Sequence, residues 1–268
     1  MNPQPTRFVD LNRVLAELVS SALAILKHRL YGAYLTGSFA LGDADQYSDV
    51  DFLVVTRTPV SEEQHVALGA LHRRLFALES PWAQHLEGSY APLALIRRLD
   101  TERAPFLYLD NGSTELIWSD HNNTAVVRWT LREHGVVLLG PTPTVFIDPV
   151  SPTHLRQEMQ RILAEWADYL QTEPEQLGNA WLQPHAVLSH CRILYTLEHG
   201  VVASKRVAGL WARDTLDAEW SGLIQRALDD RPDPWGRVHR AADPAAAEAT
   251  ERFVAYVRGV AARESETG

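Results

Sequence analysis

Cysteine and long apolar runs are scarce in this sequence. The 268 residues include one cysteine, Cys191, which excludes a disulfide framework and a cysteine-based zinc site. No uninterrupted apolar run approaches the roughly 20 residues that cross a bilayer, and the N-terminus lacks the pattern of a secretory signal. We therefore expect a cytoplasmic protein with no membrane partner, in which the lone thiol is buried and inert.

Basic residues are also in short supply. The chain has 25 basic and 34 acidic side chains, which gives a formal net charge of −9, and its only lysines are Lys27 and Lys205. A protein that binds duplex nucleic acid needs a basic surface to neutralise phosphates, so this balance argues against a nucleic-acid partner. The content of 46% hydrophobic and 22% charged residues is typical of a globular protein.

The first 150 residues contain patterns of both helices and strands. Apolar residues at helical spacing after Asp10 predict an amphipathic helix that ends near Leu30. Ser61 and Gln64 form a capping box, which predicts a second helix to about Leu78. A third helix is expected over 124–134. The predicted strands cover residues 31–36, 49–55, 85–90 and 136–139.

After a proline-rich stretch the pattern becomes entirely helical. Ser151 followed by Pro152 predicts a helix start, and further helical segments are expected over 180–199, 205–213, 217–229 and 244–263. We therefore predict an α+β fold with two domains. The first, over 1–150, has a mixed β-sheet flanked by helices, and the second, over 151–268, is an all-α helical bundle.

The segment Leu35–Val55 carries the residues that point to chemistry. Asp49 and Asp51 are two residues apart on a predicted strand, so both carboxylates leave the same face. Paired carboxylates repel unless a cation lies between them, and their oxygens suit Mg²⁺ held together with substrate phosphates. Gly37 lets the backbone approach a triphosphate, and Ser38 offers N–H and hydroxyl donors.

Other phosphate and hydrolase motifs do not fit. Gly37 and Gly42 have P-loop spacing, but Asp43 follows where that loop needs lysine. The sequence has neither a nucleophile elbow nor a zinc-protease helix motif. Taken alone, Asp49 and Asp51 also fit a strand edge whose solvated acids prevent aggregation. The Gly-Ser pair just after the preceding strand favours the functional interpretation.

GSFALGD followed by SDVDFLVV resembles the signature of the polymerase-β-like nucleotidyltransferase superfamily. Three further segments are similar to corresponding parts of the streptomycin/spectinomycin (aminoglycoside) adenylyltransferases. They are REHGVVLLGPTPTVFIDPV, LSHCRILYTLEHGVVASKRVAGLWA and FVAYVRG. The resemblance implies a nucleotidyltransferase domain followed by a helical domain, with substrates bound between the two.

The resemblance also implies roles for individual residues. Asp49 and Asp51 would hold two Mg²⁺ ions together with ATP, the nucleotide substrate. Glu87 would be the general base that contacts the acceptor hydroxyl. Trp181, near the start of the helix that carries Arg192, is the tryptophan best placed to contact the substrate. The residues implied to bind the phosphates are Ser38, Ser48, Arg192 and Lys205.

The function expected from these residues is transfer of AMP from ATP to a hydroxyl of a small cationic acceptor, an aminoglycoside, by a monomeric enzyme. Two alternatives remain: AMP transfer to a protein or RNA end, and a catalytically idle nucleotide sensor. The three acids argue against the idle sensor. The sequence departs from the family pattern in one region that concerns the acceptor. Aminoglycoside-specific members tend to place acidic side chains there, whereas residues 182–190 of this chain contain no acid.

Overall fold

A six-stranded mixed sheet forms the centre of the first unit of the chain. The computed structural model describes residues 2–99, 102–231 and 234–267, and it divides into two units, Met1–Val150 and Ser151–Gly268. The strands of the sheet are β1 (Leu30–Leu35), β2 (Val50–Thr56), β3 (Leu86–Pro92), β4 (Phe106–Leu109), β5 (Leu116–Ser119) and β6 (Val136–Leu139).

The sheet has the strand order β5-β4-β3-β2-β1-β6. Strands β2 and β3 run parallel, and each of the other neighbouring pairs is antiparallel. Because parallel strands need a crossover connection, the chain between β2 and β3 carries helices. Strands β2 and β3 occupy the middle of the sheet, where strands on both sides fix their positions.

Helices cover both faces of the sheet. On one face, α1 and α3 bury leucines such as Leu18 and Leu71 against Phe52 and Tyr90. On the other face, Leu131 of α6 and Phe146 pack with Tyr34 and Leu53 of the sheet. The helices of this unit are α1 (Val9–Leu26), α2 (Gly37–Ala40), α3 (Glu62–Phe76), α4 (Pro81–Gln84), α5 (Leu93–Ile96) and α6 (Ala125–His134).

The second unit is a helical bundle centred on one apolar helix. Helix α8 packs against α7, α9, α10 and α12, and its residues Ala186, Cys191 and Leu194 are buried. Burial of each large apolar side chain contributes about 1.5–3 kcal/mol, which explains why a helix apolar on most sides lies at the centre. Its helices are α7 (Pro152–Thr172), α8 (Leu182–His199), α9 (Lys205–Thr215), α10 (Ala218–Asp229), α11 (Pro234–Arg237) and α12 (Pro244–Thr267).

The predicted fold class is confirmed: a mixed sheet with flanking helices precedes a helical region. Two details differ from the sequence-based expectation. Helix α1 ends at Leu26, four residues earlier than expected, because Lys27–Arg29 form a 3₁₀ turn that leads into β1. Strands β4 and β5 were not predicted. The described residues of the second unit contain no strand, although Asn179 and Ala241 form an isolated β-bridge.

Candidate active site

Three carboxylates meet at the start of the parallel strand pair. Asp49 immediately precedes β2, Asp51 is its second residue, and Glu87 is the second residue of β3. Asp51 and Glu87 are register partners, so their side chains leave the same face of the sheet. One ligand atom from each of the three acids lies within 4.8 Å of the others. All three side chains are half-buried and so remain accessible to a ligand.

This donor set fits a divalent cation. Carboxylates as close as these repel one another when all are ionised, and a bound cation offsets that repulsion. Carboxylate oxygens are the ligands that Mg²⁺ prefers, and one or two protein carboxylates plus phosphate oxygens are its usual coordination in phosphoryl-transfer sites. The pair Asp49 and Asp51 is therefore able to hold Mg²⁺, while Glu87 lies beside it on the neighbouring strand.

The turn after β1 packs directly against this carboxylate group. Gly37 begins α2 with a φ of 55°, a conformation that L side chains rarely adopt. A Cβ atom at Gly37 would overlap the carboxylate of Asp51. Moreover, the backbone N–H of Thr36 donates to the carbonyl oxygen of Asp51 at 2.9 Å. Only glycine therefore lets the Gly37–Ser38 turn approach Asp51 this closely.

The two serines implied in phosphate binding have different surroundings. The Oγ of Ser38 is buried and makes no hydrogen bond within the described part of the chain, so it retains a donor for a ligand. The hydroxyl of Ser48 instead accepts from the backbone N–H of Asp45 at 3.0 Å and lies 3.3 Å from that residue's Oδ1. Ser48 thus stabilises the loop that leads to Asp49, and its contact with phosphate stays a prediction.

Glu87 has neighbours that the sequence did not point to. The hydroxyl of Tyr108, on β4, donates to Oε1 of Glu87 at 2.8 Å, and Nε2 of His121 lies 3.4 Å from the same oxygen. The hydrogen bond to Glu87 raises the pKa of His121, although burial acts in the opposite direction. Tyr108 lies on β4 and His121 lies just after β5, and neither of these strands was predicted from the sequence. The hairpin signal that could have revealed them is Asp110-Asn111-Gly112 between two apolar runs.

The predicted residues of the second unit gather around His185. Its Nδ1 lies 3.3 Å from Nζ of Lys205, and its ring stacks on Trp181 with centroids 4.9 Å apart. Nε of Arg192 donates to the carbonyl oxygen of Ala203 at 3.1 Å. Burial, followed by the positive charges of Lys205 and Arg192, lowers the pKa of His185 well below its usual value. His185 is therefore neutral beside these two cations, and it accepts a hydrogen bond from the Lys205 ammonium.

Cys191 lies on α8, the helix that also carries His185. The thiol is fully buried, as expected, and burial raises its pKa to about 12. It is therefore protonated and unreactive at neutral pH.

Two family models match the chain. Residues 19–91 match the nucleotidyltransferase domain, and residues 145–257 match the aminoglycoside adenylyltransferase C-terminal domain. The chain is thus similar to both domain families. The resemblance to the aminoglycoside adenylyltransferases is thereby confirmed, and the Gly37–Ser38 turn, Asp49, Asp51 and Glu87 all lie inside the matched nucleotidyltransferase domain.

Individual aminoglycoside adenylyltransferases are similar over nearly their whole length. The aminoglycoside (3'') (9) adenylyltransferase of Shigella flexneri is 25% identical over 264 residues, covering 93% of this chain and 94% of the relative. The enzyme of the same name from Klebsiella pneumoniae is 26% identical over 259 residues, covering 91% of this chain and 92% of the relative.

A solved structure has the same fold. The spectinomycin adenyltransferase AAD(9) from Enterococcus faecialis, crystallised with ATP and spectinomycin, superposes with a TM-score of 0.69 at 14% identity. The match covers 93% of this chain and 98% of that one. Within the described part of this adenylyltransferase-like chain, none of the helices has the length and apolarity that a bilayer crossing requires.

Proposed function

We propose that this protein transfers AMP from ATP to a hydroxyl of an aminoglycoside of the streptomycin or spectinomycin type. The observation that carries the proposal is the meeting of Asp49, Asp51 and Glu87 beside the Gly37 turn. Nucleotidyl transfer needs acids that hold a cation, a base for the acceptor hydroxyl and a backbone turn that can approach the phosphates. The acid pair, the third acid and the Gly37 turn meet these three needs. The names of the similar proteins support an aminoglycoside as acceptor.

On the nucleotide side, Asp49 and Asp51 hold two Mg²⁺ ions. When bound, these ions supply positive charge that offsets the charge of the triphosphate and of the transition state. Gly37, Ser38 and Ser48 contact the phosphates. Arg192 and Lys205 add positive charge and hydrogen-bond donors that favour binding of the triphosphate.

On the acceptor side, Glu87 takes the proton of the hydroxyl that reacts. The hydroxyl oxygen then forms a bond to the α-phosphorus of ATP, while the bond from that phosphorus to the oxygen bridging to the β-phosphate breaks. Pyrophosphate leaves with the bonding electron pair, and the proton stays on the Glu87 carboxyl until it passes to water. Trp181 provides an aromatic face against which the acceptor stacks.

The deciding experiment is a transfer assay with the purified full chain. ATP and Mg²⁺ are incubated with spectinomycin or streptomycin, and mass spectrometry measures addition of one AMP to the antibiotic together with release of pyrophosphate. A reaction with chelator in place of Mg²⁺ is the control. AMP found on a protein or RNA end instead would identify the alternative transferase, and ATP binding with no transfer to any acceptor would identify a nucleotide sensor.

A further inference from the structure

We propose that Tyr108 is a positioning residue that orients the carboxylate of Glu87 for proton removal. The inference rests on the proposed role of Glu87 as general base. It adds to the reaction a residue that acts through Glu87 and does not itself touch the substrate.

The position of Tyr108 is fixed by the sheet. Tyr108 lies on β4 and is the register partner of Ser89 on β3, two residues beyond Glu87. The residue is only 4% exposed, so its ring is held by packing on the sheet. Its hydroxyl donates to Oε1 of Glu87 at 2.8 Å, which is a well-formed hydrogen bond. A rigid donor of this kind holds the flexible Glu87 side chain in one place.

The same hydroxyl lies between two carboxylates. It is 3.1 Å from Oδ1 of Asp110, an oxygen that also accepts from the backbone N–H of Asn111 at 3.0 Å. Burial, followed by the charges of Glu87 and Asp110, raises the pKa of Tyr108, so the hydroxyl keeps its proton and remains a donor. Without that donor, the Glu87 and Asp110 carboxylates would face each other with no proton between them and would repel.

A second group contacts the same oxygen of Glu87. Nε2 of His121 lies 3.4 Å from Oε1, and the His121 ring packs on the Tyr108 ring with centroids 5.1 Å apart. Because Tyr108 and His121 both contact Oε1, together they restrain the position of that oxygen. The position of the carboxylate decides how it meets the acceptor hydroxyl, and small errors in such geometry are costly for proton transfer.

The test compares Tyr108→Phe with a matched control, Tyr90→Phe. Tyr90 is also a buried tyrosine of this sheet, but its hydroxyl pairs with Nε2 of His72 at 2.9 Å, within the core formed with α1 and α3. Each variant loses one buried hydroxyl, so both lower the thermal midpoint by similar amounts. Only Tyr108→Phe is expected to lower kcat, by roughly 10- to 100-fold, with the calorimetric Kd for ATP unchanged.

A double variant separates positioning from general damage. In the Glu87→Gln background, Tyr108→Phe is expected to cause no further loss of kcat, because the residue through which it acts is already disabled. An additional loss in that background would overturn the inference, as would normal kcat in the Tyr108→Phe single variant. If the Glu87→Gln variant itself has normal kcat, the assignment of Glu87 as general base is wrong. That result can be told apart from the two outcomes that would overturn the role of Tyr108.

Crystal structures provide a readout that needs no acceptor. The Glu87 carboxylate in Tyr108→Phe is expected to be displaced or divided between two rotamers relative to the wild-type protein. A carboxylate that stays in its wild-type position would overturn the inference, whichever antibiotic the enzyme modifies.

Discussion

Asp51 and Glu87 are direct neighbours across the parallel β2–β3 pair, with their side chains on one face of the sheet. Residues this far apart in sequence come together because the chain crosses over through α3 and α4 between the two strands. The pairing places an acid suited to cation binding beside a candidate base with a fixed spacing. The geometry of the site is therefore set by backbone hydrogen bonds and does not depend on flexible loops alone.

Asp51→Asn is expected to abolish AMP transfer without harming the fold. The amide is a poor ligand for Mg²⁺ compared with a carboxylate, whereas loss of one charge relieves repulsion among three close acids. The thermal midpoint without metal should stay the same or rise. Asp10→Asn, at an exposed position on α1, is the control. Transfer by Asp51→Asn at the wild-type rate would contradict the metal assignment.

Glu87→Gln is expected to lower kcat by roughly two to four orders of magnitude, the usual contribution of a general base. The Kd for ATP should be unchanged, because the amide keeps the size of the side chain and Asp49 and Asp51 remain. Steady-state measurements by mass spectrometry at saturating substrate give kcat, and calorimetry gives Kd. Weak ATP binding with normal turnover would instead make Glu87 a metal ligand.

Gly37→Ala is expected to reduce both stability and transfer, and Gly42→Ala is its matched control. Both glycines have positive φ, 55° and 71°, so alanine strains the backbone at either position by about 1–2 kcal/mol. A Cβ at Gly42 meets no atom within 4 Å, whereas at Gly37 it overlaps the Asp51 carboxylate. Transfer assays and thermal melts should show that only Gly37→Ala loses activity. Equal activity in the two variants would refute this role of Gly37.

Lys205→Ala is expected to weaken ATP binding by about 10- to 100-fold, the effect of losing one hydrogen bond to a charged group. Lys27→Ala removes the only other lysine of the chain, at an exposed position, and should leave the Kd unchanged. Calorimetric titration of the full chain with ATP and Mg²⁺ measures both. The phosphate role of Lys205 is wrong if the two variants bind ATP equally well.

Acid should destabilise the first unit through His72. This residue is 1% exposed, and burial lowers its pKa from 6.5 to about 4. As pH falls from 6.5, the unfolded chain binds this proton and the folded chain does not, so stability decreases until about pH 4. The contribution of this one group is at most about 3 kcal/mol.

His72→Gln tests this pH dependence. The thermal midpoint of the variant should be lower near neutrality but should fall less steeply between pH 6.5 and about 4 than that of the wild-type protein. His28→Gln, at an exposed position, is the control. An unchanged slope in His72→Gln would show that other groups cause the acid sensitivity.

Most of the sheet could be predicted from local patterns. Strands β1, β2, β3 and β6 lie within two residues of their predicted bounds, and α6 follows the Thr124 cap as expected. These elements are bounded by clear signals, such as Gly37 after β1 and Ser61 before α3. Asp49 and Asp51 were singled out from the pattern of their predicted strand, whereas Glu87 was implied by the resemblance to the adenylyltransferases.

The β4–β5 hairpin was missed because its strands have four residues each and no alternating pattern. In β4 all four residues are buried, and in β5 both Ile117 and Trp118 are exposed. Strand β4 pairs with β3 and β5 pairs with β4, so their strand state depends on tertiary pairing, and the turn Asp110-Asn111-Gly112 is the local signal that pointed to them. Tyr108 and His121 were missed with them. The contacts of these two residues with Glu87 are visible only in the tertiary structure.

The glycine turn, the paired aspartates and the neighbouring glutamate all come from one uninterrupted stretch, Gly37 to Glu87. Everything that follows, including the β4–β5 hairpin and the helical unit, contributes no carboxylate to that trio. The acid group is thus encoded within one continuous segment of the polypeptide. Tyr108, Arg192 and Lys205 lie in the later segments, so substitutions there can change the orientation of Glu87 or the binding of a ligand without removing any of the three carboxylates.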